Sequence, residues 1–208
     1  MSATYADLVK ADEDIRSFRE CDPNLGECRG YVFSLNRAES GLSENRVDAI
    51  IMGMNPGEAS AREDGVSPAS KGNWSRLCQS AADSVGGHWA ISEMFFWSSH
   101  DLAALKNRVG DFSPYLEFCA KQNLVMIGYH RPKIVFQPGL GWLRDAEKFY
   151  GLTRVDTIYS TRRRRRLIEH YRMRDGTHWL CTPHWTASFG FSGADMDDIK
   201  TYAAALAR

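Results

Sequence analysis

Apolar positions in this chain fall into two patterns, short unbroken runs and spaced, helix-like series, and the two alternate along the sequence. Val47 to Met52 is a near-continuous apolar run stopped by Gly53, Pro56 and Gly57, the pattern of a strand buried in a parallel sheet. Trp89 to Trp97 and Lys133 to Gln137, the latter bounded by Pro132 and Pro138, predict two further strands, and Val155 to Tyr159 a fourth. Between them, Trp74 to Val85 has helical spacing through Leu77, Cys78 and Ala81, and Ser113 to Tyr129 and Trp142 to Tyr150 read as helices. Residues 4 to 20 space Tyr5, Leu8, Ile15 and Phe18 as a peripheral helix would, and Asp195 to Ala207 predicts a closing helix. Cys21 to Gly30 is turn-rich, Tyr31 to Leu35 is a short strand candidate, and Arg37 to Arg46 a polar loop. Arg166 to Met173 and His178 to Thr182 flank Arg174-Asp175-Gly176-Thr177, and Asp-Gly between two such runs signals a hairpin.

Alternating strands and helices predict an α/β fold, a three-layer sandwich around a central, mainly parallel sheet. With no internal repeat, linker or low-complexity tract, residues 1–208 are expected to form a single domain, residues 1–30 adding a peripheral helix and loop. A hydrophobic content of 43% and a charged content of 25% are ordinary for a globular protein. No apolar stretch reaches bilayer length and the N-terminus lacks a secretory signal's apolar core, so no membrane association and a cytoplasmic or nuclear location are expected; the protein is also expected to be monomeric. The five scattered cysteines agree with a reducing compartment.

Lys+Arg and Asp+Glu balance at 26 each, which hides a local asymmetry. Between Arg154 and Arg174 there are eight arginines, five of them consecutive from Arg162 to Arg166, against Asp156 and Glu169. Such a strip either binds phosphates or is a solvated edge.

Candidate chemistry begins where the first strand ends. In open α/β sheets ligands bind at the carboxyl ends of strands. There Gly53 permits a close backbone approach, Pro56 pushes Asn55 away from helical geometry, and Gly57 suits a tight turn. The Asn55 side chain would then stand on a stiff turn, able to orient a water or grip a polar ligand; the alternative is a turn that only ends a strand.

Gly53-Met54-Asn55-Pro56-Gly57 resembles the first motif of the uracil-DNA glycosylase superfamily, in the form of its mismatch-specific and single-strand-selective branches. Gly72-Asn73-Trp74-Ser75-Arg76-Leu77 is similar to the segment that opens the next helix in the mismatch-specific branch. Thr182-Pro183-His184-Trp185-Thr186-Ala187-Ser188 resembles the second motif, so the likeness spans roughly residues 47 to 207. The resemblance implies a hydrolase of base excision repair that cleaves an N-glycosidic bond in single- or double-stranded DNA, without a cofactor or metal. It implies that Asn55 orients the water, that Gly53 and the Met54 backbone help hold the base, and that His184 stabilises the leaving base. A neutral imidazole suits that last role, since it donates a hydrogen bond without carrying charge.

A flipped base needs a wedge behind it, which the loop Ser188-Phe189-Gly190-Phe191 would supply through Phe189 or Phe191. Arg163, Arg164 and Arg165 would contact backbone phosphates. Two features depart from the pattern. The loop Glu58 to Pro68 has no aromatic to stack on a base, leaving Phe95, Phe96 or Trp97 as candidates. Where several branches carry a base-reading Asn, this chain has Ser98-Ser99-His100-Asp101, so His100 and Asp101 are candidates for reading a different base, with Ser98 also expected at the base-binding site. His178-x-x-Cys181-x-x-His184 has metal-like spacing, but on a regular strand residue 181 points away from 178 and 184. No Walker loop, dinucleotide fingerprint or Gly-x-Ser-x-Gly elbow is present.

Overall fold

The structure, a computed structural model, describes residues 3–26, 28, 33, 46–54, 61–62, 65–66, 73–98, 102–162, 164–185 and 190–208. They form a mixed α/β fold with six helices and a central six-stranded, mostly parallel sheet. In chain order the elements are α1 (Tyr5–Cys21), β1 (Ala49–Gly53), β2 (Ala61–Arg62), β3 (Gly65–Val66), α2 (Asn73–Asp83), β4 (Trp89–Glu93), α3 (Leu102–Val109) and α4 (Ser113–His130). Then follow β5 (Ile134–Pro138), α5 (Leu143–Tyr150), β6 (Thr153–Tyr159), β7 (Arg166–Arg172), β8 (His178–Thr182) and α6 (Gly193–Leu206). The central sheet has the order β4-β1-β5-β8-β7-β6, and β2 and β3 form a separate short ladder. β1 pairs with β5 and β5 with β8 in parallel, while β8, β7 and β6 are antiparallel neighbours.

The chain divides into two compact units, residues 1–46, 53–69 and 91–130, and residues 47–52, 70–90 and 131–208. In the first unit the expected peripheral helix is α1. Thr4 and Asp7 form its capping box, and Leu8, Ala11 and Ile15 bury one stripe, with α1 packed on α4. An aromatic cluster fills this unit: Phe18 stacks on Trp97 and Phe118, and Phe95 packs against Trp97 and Phe112.

That cluster corrects the strand expected over Trp89 to Trp97. β4 stops at Glu93, and residues 94–98 continue as buried, irregular backbone. A strand sends successive side chains to opposite faces. Phe95 and Phe96, however, both pack against the Trp97 ring, and all three have no exposed surface. The pattern also missed α3, whose Leu102, Leu105 and Val109 mark one helix face, at a spacing the sequence does contain. The Tyr31 to Leu35 strand candidate lies outside the described residues except for Phe33, which packs edge-on to Phe96.

In the second unit the hairpin expectation holds. Met173 N donates to Thr177 O at 2.9 Å, and Gly176 takes the positive φ of 95° that the turn needs. β7 is buried from Leu167 to Tyr171, including Glu169, which meets Arg154 at 3.2 Å and Arg166 at 3.0 Å. β6, the sheet's edge, begins at Thr153, earlier than its apolar residues suggest, because ladder bonds to β7 rather than burial define it. α6 likewise begins before Asp195: Ser192 is its N-cap and Asp195 closes the capping box.

Candidate functional site at the strand carboxyl ends

β1 and β8 flank β5 and run parallel to it, so their carboxyl ends emerge together. Ile51 pairs with Phe136, which in turn pairs with Leu180, putting Ile51 and Leu180 level across two strand spacings, about 10 Å. The expected first motif follows β1 directly, and the expected second motif follows β8 directly.

Within the first unit, Gly53 O accepts from Met94 N at 2.9 Å and Met54 O accepts from Phe95 N at 3.0 Å. These bonds tie the first motif's opening to the segment after β4. Gly53 does more than end a strand. The Glu93 carboxyl lies against its Cα, so that a Cβ there would fall 2.0 Å from Oε2. The backbone at Glu93 is held by Asn123 of α4, whose Nδ2 donates to Glu93 O at 3.0 Å while Oδ1 accepts from Ser92 Oγ at 2.6 Å. Burial pushes the Glu93 carboxyl up to about 8, so it keeps its proton at neutral pH. In the sequence, an acid inside the apolar run Trp89 to Trp97 is the signal that marks this residue.

Within the second unit, His184 lies just beyond β8 and stacks on Trp74 at the start of α2, with ring centroids 5.5 Å apart and planes at 20°. The second motif and the helix-opening segment, remote in sequence, therefore meet. Trp185 beneath is fully buried, donates from Nε1 to Thr182 Oγ1 at 2.8 Å, and packs on Trp74 and Phe136. Partial burial lowers the His184 pKa, which favours the neutral imidazole.

The basic strip divides by role. Arg162 and Arg164 are exposed on the turn between β6 and β7, which Ser160 N closes onto Arg165 O at 2.8 Å. Arg165 instead turns inward, meeting Asp195 at 3.0 Å and donating to Gly190 O at 2.9 Å. It thereby fastens the start of α6 and the residue beside Phe191, which is half-buried. Arg166 is committed to Glu169.

Of the remaining expected site residues, Phe95 has no exposed surface, and Ser98 is buried with no partner for Oγ among the described residues. A ring packed on Trp97 and Phe112 offers no face for base stacking in this arrangement. Asn55, His100, Arg163, Ser188 and Phe189 lie outside the described residues. The residues of the metal-like spacing have separate partners. His178 Nδ1 meets His170 Nε2 at 2.9 Å, Cys181 Sγ donates to Gln137 Oε1 at 3.4 Å, and His184 stacks on Trp74. Among the described residues no helix is long and apolar enough to cross a membrane. No protein-family model matches the chain, and a search of curated proteins finds no match.

Proposed function

We propose that this protein is a DNA glycosylase-like hydrolase that cleaves the N-glycosidic bond of uracil or a related deaminated base. The observation that carries the reading is the level alignment of β1 and β8 across β5, each followed at once by one of the two motif-like segments. Strand ends of this kind are where α/β proteins bind ligands.

In the reaction the bond from the sugar C1′ to the base nitrogen breaks, the sugar develops oxocarbenium character, and the base leaves with negative charge. Asn55 orients the water that attacks C1′, and the Met54 backbone holds the base. His184, neutral because of its burial, donates a hydrogen bond to the anionic base. The flat contact with Trp74 fixes the plane of that imidazole. Exposed Arg162 and Arg164 contact backbone phosphates, and Phe191 is available as part of a wedge.

A second reading, a member of the same superfamily that binds nucleic acid with little or no cleavage, is favoured by the burial of Phe95, the expected stacking residue. One assay separates the two. Wild-type protein is incubated with single- and double-stranded oligonucleotides bearing uracil, hypoxanthine or xanthine, and abasic sites are counted. Cleavage abolished by Asn55→Ala supports the hydrolase. Salt-dependent binding without abasic sites supports the binder, and neither result rejects both.

A further inference from the structure

Glu93 is 7% exposed, and its Oε2 has no hydrogen-bond partner among the described residues. It stands at the end of β4 against Gly53, where β1 ends. Further along the same segment, Trp97 Nε1 and Ser98 Oγ are also buried without a partner among the described residues. Buried polar atoms nearly always have a partner, whether protein, water or ligand. The unpartnered Glu93 carboxyl, beside the end of β1, thus stands at strand ends of the kind where α/β proteins bind ligands.

We propose that Glu93 recognises the base, its carboxyl pairing with the adjacent C=O and N–H of a lactam edge, the edge that uracil, hypoxanthine and xanthine share. The proposal rests on the N-glycosidic reading above and names its specificity residue. A protonated carboxyl has one O–H to donate and one carbonyl oxygen to accept, so it matches a lactam with two hydrogen bonds. A carboxylate has no donor and would face the base carbonyl with a charge. Desolvation raises the pKa, and the proton is retained up to about pH 8. The carboxyl fills the space beside Gly53, so a side chain at 53 would have to displace it. A neutral carboxyl here supplies the donor and acceptor that a carboxamide would, which accounts for the missing base-reading Asn further on.

The test compares wild type, Glu93→Gln and Glu93→Leu on single-stranded oligonucleotides bearing uracil or 3-methyluracil, the latter lacking the lactam N–H. Wild type and the Gln variant should release uracil and spare 3-methyluracil, while the Leu variant should lose about a hundredfold in kcat/KM. Wild-type kcat/KM should fall above about pH 8, and that of Glu93→Gln should not. Equal uracil release by all three variants would overturn the proposal and leave the hydrolase reading standing. A second measurement does not need catalysis. Free uracil is added to protein labelled with 13C at the glutamate carboxyls, the Glu93 signal being identified by its absence in Glu93→Gln. A shift of that signal supports the proposal even if no abasic site forms, and an unmoved signal at millimolar uracil overturns it.

Discussion

Glu93 Oε2 lies 2.0 Å from where a Cβ on Gly53 would stand, so the carboxyl occupies the place of a residue-53 side chain. The contact joins the end of β1 to the end of β4 within one unit, and a side chain at residue 53 would have to displace the carboxyl. Gly53→Ala should therefore destabilise the protein by about 1–3 kcal/mol, the usual cost of forcing a methyl into a packed site. Urea unfolding checks this, and Glu93→Ala in the same background should recover part of the loss by vacating the space.

Glu93 also predicts a pH dependence of stability. Its carboxyl is raised from an ordinary 4.5 to about 8 in the folded protein, because burial disfavours the charged form. Between those values the folded state holds a proton that the unfolded chain has released. The contribution is thus full below about pH 4.5 and is lost as pH rises to about 8, each unit of difference being worth about 1.4 kcal/mol. The stability difference between wild type and Glu93→Gln, measured by denaturant unfolding across that window, should move steadily against wild type as pH rises.

An opposite slope comes from the second unit. His170 Nδ1 meets Tyr202 Oη at 2.9 Å and its Nε2 meets His178 Nδ1 at 2.9 Å. Burial, then the neighbouring His178 and Arg172, push His170 down to about 4 against a weaker opposing pull from Asp156. An unfolded histidine binds its proton near 6.5, so stability from this group is present above that value and is lost as pH falls towards 4. His170→Gln should flatten the acid limb of the unfolding curve between those values.

Trp74 should govern the protonation of His184. The stacked ring shields the imidazole, whose pKa is lowered by burial. In Trp74→Ala the His184 pKa should rise towards its ordinary value, as followed by an NMR titration, and the uracil release proposed for this site should fall at pH 6 more than at pH 8. Trp74→Phe should keep most of both properties.

Arg165 should be structural rather than a phosphate contact. Burial would raise the Asp195 pKa, but hydrogen bonds from Ser192 and Ser160 and the Arg165 charge outweigh it and lower the pKa. Arg165→Ala should cost about 2 kcal/mol, less than a wholly buried pair because the guanidinium is partly solvated. Under the proposed function, the DNA affinity of this variant should change less than that of Arg162→Ala or Arg164→Ala at low salt, measured by fluorescence anisotropy.

The apolar runs and spacings of the sequence determined the α/β class, the first buried strand (expected over Val47 to Met52, found as Ala49–Gly53), the β7–β8 hairpin and the helices at both ends. Each of these is signalled by local periodicity or turn chemistry, which a chain carries without knowing its neighbours. The tertiary structure decided where β4 stops, because consecutive aromatics from Phe95 to Trp97 gain more from one shared cluster than from alternating across a sheet. It also decided which arginines remain at the surface and which ring supports His184, since Asp195 and Trp74 are distant in the chain. The end of β1 at Gly53 was visible from the glycine itself, but the reason for a glycine there was not. A glycine announces that a side chain is absent, and only the packing of Glu93 shows what fills the space.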